Sequence, residues 1–155
     1  MERASTKIII AEDDNDDYEF IKCAFKESGL QNEIYRVKNG KELVDFLLNK
    51  KYVKNQSDSC IVLLDLNMPI MDGREALKEI KSHLDLKRIP IIVLTTSNSD
   101  QDIIKSYDLG VNSYIKKPLR YEDLLKTVNI FNQYWLNISE IPTIKQILTR
   151  IETSP

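Results

Sequence analysis

The sequence predicts an α/β fold built from five strand–helix units. Short apolar, β-branched-rich runs recur at 8–10, 34–37, 61–64, 91–94 and 114–115. The stretches between them repeat apolar residues at helical spacing, and a length of 155 residues suits one compact domain. Each run is short and apolar enough to be a strand buried on both faces, the habit of parallel sheets covered by helices. Strands alternating with helices require crossover connections, so the sheet is expected to be mostly parallel with helices on both faces.

Taken in order, the strand at 8–10 is followed by a helix whose Tyr18, Ile21 and Phe25 share a face and which Gly29 can stop. After 34–37, Leu43, Val44, Leu47 and Leu48 form the stripe of a second helix. The third helix, after 61–64, carries Ala76, Leu77 and Ile80, and the fourth, after 91–94, carries Ile103, Ile104 and Tyr107 before Gly110. The fifth stripe is the longest, with Leu124, Val128, Phe131 and Trp135 at spacings of three and four. Two segments exceed this minimal unit: the polar stretch 49–59, expected to be a surface loop, and a tail after Trp135, with one more short helix expected after Pro142.

Composition narrows the function classes. Hydrophobic residues are 42% and charged residues 30%, far from a disordered profile. Against 24 Asp and Glu stand 22 Lys and Arg, a net charge of −2 that argues against nucleic-acid binding through a basic excess. Cys23 and Cys60 are too few for a disulfide scaffold and lack CxxC spacing, so buried, inert thiols are expected. No apolar run approaches the ~20 residues that cross a bilayer, and the N-terminus passes into a strand pattern without a signal-peptide core. A cytoplasmic location is the expectation.

In open parallel sheets chemistry gathers beyond the carboxyl ends of the strands. The first strand ends in 12–17, five carboxylates in six positions with no base among them. Crowded carboxylates repel unless a cation sits between them, and a hard divalent ion suits the pair at the strand end, Glu12 and Asp13. Asp14, Asp16 and Asp17 are read instead as the solvated, capped start of a helix. The third strand runs into Asp65-Leu66-Asn67-Met68-Pro69 and then Met71-Asp72-Gly73, where a carboxylate after four apolar residues needs a compensating cation. The fourth offers hydroxyls in Thr95, Thr96 and Ser97, and the fifth is followed by Lys116-Lys117-Pro118. Each signal alone is common; their order across four strand ends is specific. The single histidine, His83, falls in a polar turn and is read as solvent-exposed, while Met68 and Met71 are expected to pack or shape their loop.

With those residues in place, the sequence resembles the receiver domains of two-component response regulators, the CheY-like family, from about Lys7 to Trp135. The resemblance implies a doubly wound, flavodoxin-like sheet of order 2-1-3-4-5, with 1–136 as the receiver and 137–155 as a short extension too small for an output domain. It implies that Asp65 accepts a phosphoryl group. Mg²⁺ would be held by Asp13, Asp65 and the Asn67 backbone carbonyl, with Glu12 acting through water. It further implies that Lys117 offsets phosphoryl charge and precedes a proline the family usually carries in cis. Thr95 is the switch hydroxyl, moving toward the phosphoryl group, and Tyr114 the switch aromatic, turning inward. The longer 49–59 loop, the tail and the Thr95-Thr96-Ser97 run resemble regulators that partner bacterial phytochrome-type histidine kinases. That implies a homodimer through the fourth helix, fifth strand, fifth helix and tail, with Tyr114, Phe131 and Trp135 in the interface. The competing enzyme reading, an aspartyl-phosphate phosphatase or phosphotransferase of the haloacid-dehalogenase type, expects a second carboxylate two residues after the nucleophile, where this chain has Asn67.

Overall fold

A computed structural model describes residues 5–151. The chain runs β1 (Thr6–Ala11), α1 (Asn15–Glu27), β2 (Ile34–Val37), α2 (Gly40–Leu48), β3 (Ser59–Leu64), α3 (Gly73–Ser82), β4 (Ile91–Thr95), α4 (Asp100–Leu109), β5 (Ser113–Lys116), α5 (Tyr121–Phe131), a π-helix (Asn132–Ile138) and α6 (Ile144–Leu148). Every residue of β1, β3 and β4 is buried, which is why they read as unbroken apolar runs. The strands form one parallel sheet in the order β2-β1-β3-β4-β5, the doubly wound arrangement expected.

Side chains alternate across the sheet. Ile9, Val62 and Val93 point into a core with Leu43, Leu47, Leu77 and Ile80, whereas Ile8, Ile10, Ile61, Leu63 and Leu94 meet Phe25, Leu124, Val128 and Phe131 on the other face. Helix starts are marked by Asp14, Asn39, Asp72 and Ser99, each accepting a hydrogen bond from the backbone N–H three residues on. Register then sets the site. Ala11 pairs with Leu64 and Thr95 with Lys116, so the residues that follow, Glu12, Asp65 and Lys117, emerge along one edge. The ladder continues into that edge: Asp65 N–H donates to the Ala11 carbonyl (3.1 Å) and Lys117 N–H to the Thr95 carbonyl (2.7 Å).

Several expectations are corrected. After Phe131 the helix widens into a π-helix, closed by Ser139 N–H on the Tyr134 carbonyl, so the next inward position comes five residues on. Leu136 is therefore buried, and Trp135, the last member of the fifth stripe and the one also expected at an interface, packs half-buried against that core. Phe131 is 6% exposed and lies edge-on to Phe25 at 5.6 Å, so it belongs to the core and not to a dimer interface. Cys23 is exposed, since it falls on the outer face of α1, while Cys60 is buried as expected. Among the described residues every peptide bond is trans, that before Pro118 included.

The 49–59 stretch is more than a surface loop. Tyr52 is buried, and Asp58 folds back to accept from the N–H groups of Lys54 (2.7 Å) and Asn55 (3.1 Å). The tail explains why. It passes from one face of the sheet, where Leu136 and Ile141 pack, to the other, where Ile144 and Ile147 join Tyr52. Ile144 N–H donates to the Asp58 carbonyl (2.7 Å), and Arg88 donates to the Gln146 and Thr149 carbonyls. The short helix expected after Pro142 is α6, opened by a Thr143–Gln146 capping box. Among the described residues no helix is long and apolar enough to cross a membrane.

Candidate functional site

Four strand ends converge on Asp65. The carboxylate sits directly after β3 and is 6% exposed. Its Oδ1 accepts from the Thr95 hydroxyl (3.0 Å), itself fully buried at the end of β4, and from the Asn67 N–H (3.2 Å). Its Oδ2 accepts from the Lys117 ammonium at 3.1 Å. Lys117 Nζ also donates to Glu12 Oε2 (3.0 Å) and Asp17 Oδ2 (2.9 Å), so the three N–H bonds of one ammonium hold three carboxylates.

Burial and the Asp65 carboxylate beside it push Glu12 up to about 8. Burial also works against ionised Asp65, but the adjoining Glu12 carboxyl, the Lys117 ammonium and the Asn67 N–H outweigh that and keep it below the usual carboxylate range. For Lys117, burial disfavours the ammonium; Asp17, Asp65 and Glu12 reverse this and raise it above the ordinary lysine value.

A divalent cation fits these residues. Glu12, Asp13 and Asp65 offer carboxylate oxygens within 4.8 Å of one another, and Glu12 Oε1 is buried without a hydrogen-bond partner. An all-oxygen, mostly anionic donor set suits a hard ion such as Mg²⁺ or Mn²⁺.

A second ring of contacts lies behind Thr95. The Ser97 N–H approaches Thr95 Oγ1 at 3.4 Å, its hydroxyl donates to Asp102 Oδ2 (2.6 Å), and its carbonyl accepts from the Tyr114 hydroxyl (2.9 Å). Asp102 in turn takes a bidentate pair from Arg74, both bonds 2.7 Å, tying α4 to α3. Thr95 is thus bonded to Asp65, and the Tyr114 side chain reaches in to Ser97. The Arg74 guanidinium, with help from the Ser97 hydroxyl, holds Asp102 down at about 2. Because this lies below the ordinary 3.8, the link is fully present above pH ~4 and is lost as pH falls through about 2. A ¹³C titration of the Asp102 carboxyl should show this low midpoint, moving toward 3.8 in Arg74→Met; an unmoved midpoint would acquit Arg74.

The structure brings together Glu12, Asp13, Asp65, Asn67, Thr95 and Lys117, all foreseen, with Tyr114 one contact away. Asp17 was read as part of a solvated helix start, yet it is the third carboxylate on Lys117. Its position in the first turn of a helix that opens at the sheet's carboxyl edge was the available signal. Arg74 and Asp102 carried none, being 28 residues apart on different helices. His83 is exposed as expected, and Met68 packs under its loop.

A parallel five-stranded sheet with an acid cluster, a hydroxyl and a lysine on successive strand ends defines a phosphoryl-receiving signalling switch. The chain belongs to the response regulator receiver domain family, whose pattern matches residues 8–129, and it is therefore a receiver of two-component signalling. It is 38% identical over 135 residues to response regulator Rcp1 of Synechocystis sp., covering 87% of this chain and 92% of that protein. To the probable methanogenesis regulatory protein FilR2 of Methanothrix harundinacea it is 40% identical over 135 residues, 87% of this chain and 86% of the other. The crystal structure of Mn²⁺-bound Rcp1 superposes with a TM-score of 0.75 at 37% identity, over 88% of this chain and 98% of that one. That of the phosphorylated cyanobacterial phytochrome response regulator RcpA gives 0.78 at 39%, over 88% and 97%. None of these relatives supports the haloacid-dehalogenase alternative.

Proposed function

We propose that Asp65 is the residue that receives the phosphoryl group, and that the protein acts as a signalling switch and not as a turnover enzyme. The observation that carries this is the convergence of Thr95, Lys117 and the Asn67 N–H on one buried carboxylate. In the proposed step a carboxylate oxygen of Asp65 attacks the phosphorus of a phosphohistidine on a sensor kinase. The new O–P bond forms as the N–P bond breaks, and the electron pair leaves with the imidazole. Lys117 offsets charge on the phosphoryl oxygens, and the Thr95 hydroxyl exchanges its bond to Asp65 for one to a phosphoryl oxygen. Asp13, Asp65 and the Asn67 carbonyl, with Glu12 through water, are the residues that would hold Mg²⁺, which when bound neutralises further phosphoryl charge.

The likeness to Rcp1 and to the phytochrome regulator RcpA supports a phytochrome-type kinase as donor. A cytoplasmic site of action follows from the kinase's need for ATP. The proposed domain division keeps 1–136 as the receiver and 137–155 as an extension whose described part, up to residue 151, braces it. For output we propose self-association through α4, β5 and α5, with Tyr114 and Trp135 contributing and Phe131 excluded by its burial. No role in nucleic-acid or membrane binding is proposed. Incubation with Mg²⁺ and acetyl phosphate should add one phosphoryl group, and peptide mapping should place the acyl phosphate on Asp65; modification of any other carboxylate would overturn the assignment.

A further inference from the structure

Arg36, on edge strand β2, is paired in register with Ile10 and lies outside the machinery described above. Its side chain runs forward past the strand end. Nε donates to the Glu12 carbonyl at 3.0 Å and Nη2 to the Asp13 carbonyl at 3.3 Å. The guanidinium also lies over the Tyr18 ring, 4.4 Å from its centroid, on the buried side of α1. Glu12 N–H is already fixed to the Val37 carbonyl at 3.0 Å. The peptide units that carry both strand-end acids are therefore clamped from β2, and the clamp is braced against α1.

Two effects of such an arginine on a bound cation have opposite signs. As a charge, Arg36 sits beside an acid cluster and repels a second cation, so removing it should tighten divalent-ion binding. As a fork, it holds the turn in which the Glu12 and Asp13 carboxylates converge with Asp65, so removing it should loosen the donor set and weaken binding. The two hydrogen bonds go to main-chain carbonyls of the ligand-bearing turn, and the planar group is stacked on an aromatic face, which favours orientation over field. We propose that Arg36 is a positioning residue for the divalent-metal site, acting by clamping the 12–13 turn between β2 and α1. This rests on the metal reading of Glu12, Asp13 and Asp65.

The sign can be read directly by titrating the full-length, unphosphorylated chain with Mn²⁺ and following free Mn²⁺ by electron paramagnetic resonance. Wild type should bind one ion and Asp13→Asn should bind it far more weakly; failure of either would sink the metal reading itself. Given that, Arg36→Met should bind Mn²⁺ about tenfold more weakly, the lower end of what loss of an outer-shell partner costs. Arg36→Lys, which keeps the charge and loses the fork, should recover only part of this. Wild-type or tighter binding in Arg36→Met, or full recovery in Arg36→Lys, would overturn the inference. Thermal midpoints of both variants within a few degrees of wild type separate a local loosening from global destabilisation.

Discussion

Lys117→Met is expected to slow phosphoryl labelling by about 10²- to 10³-fold, the usual cost of losing a preorganised group that meets developing charge. Methionine fills nearly the same space, so the change is one of charge. The wild-type side chain is 11% exposed, and its ammonium is shared by Glu12, Asp17 and Asp65 at 2.9–3.1 Å. Without it, two buried carboxylates face each other uncompensated, and breaking such a buried group costs about 3 kcal/mol.

A second consequence of the same substitution separates electrostatics from packing. The acid cluster needs a positive charge among its carboxylates, and in the variant a divalent ion can supply the one that Lys117 gave up. Mg²⁺ or Mn²⁺ should therefore raise the thermal midpoint of Lys117→Met by more than it raises that of wild type. Equal shifts would show that Lys117 and the ion do not answer the same excess of negative charge.

Most of the sheet was legible because parallel strands buried on both faces leave continuous apolar runs, as at Ile8, Ile9 and Ile10. Most of the candidate site was legible for a related reason: its residues immediately follow those runs, so strand ends and candidate positions are found together. Apart from Asp17, what escaped has no local signature. Leu136 takes a fully buried place because a π-turn changes the phase of a helix, and the usual 3.6 spacing carries no mark of it. Tyr52 and Asp58 lie in a polar run whose burial depends on a tail about ninety residues later. Arg36 reaches the 12–13 turn, and Arg74 reaches Asp102, across neighbours that only the folded sheet creates.

Gly73 shows how tightly the acceptor loop is built, and Gly73→Ala is expected to be nearly as damaging as loss of the lysine. The backbone N–H of Gly73 donates to the Leu66 carbonyl at 2.9 Å, pressing the first turn of α3 against the end of β3. A β-carbon there would lie 2.3 Å from the Asp65 carbonyl oxygen and 2.8 Å from Leu66 Cα, both main-chain atoms that cannot swing aside. Either α3 lifts away or the Asp65 backbone shifts, and the overpacking should cost about 3 kcal/mol. Displacing the carboxylate from Thr95 and Lys117 by even an ångström should slow labelling by about 10²-fold. Gly110→Ala provides the comparison. Gly110 closes α4 at φ 102°, where alanine is strained, but its nearest new neighbour is the flexible Lys81 side chain at 3.7 Å. It should lose about 1 kcal/mol and label at the wild-type rate. Normal labelling in Gly73→Ala would mean that the β3–α3 junction can relax without moving Asp65. Slow labelling in both variants would trace the effect to lost stability instead of to the position of the carboxylate.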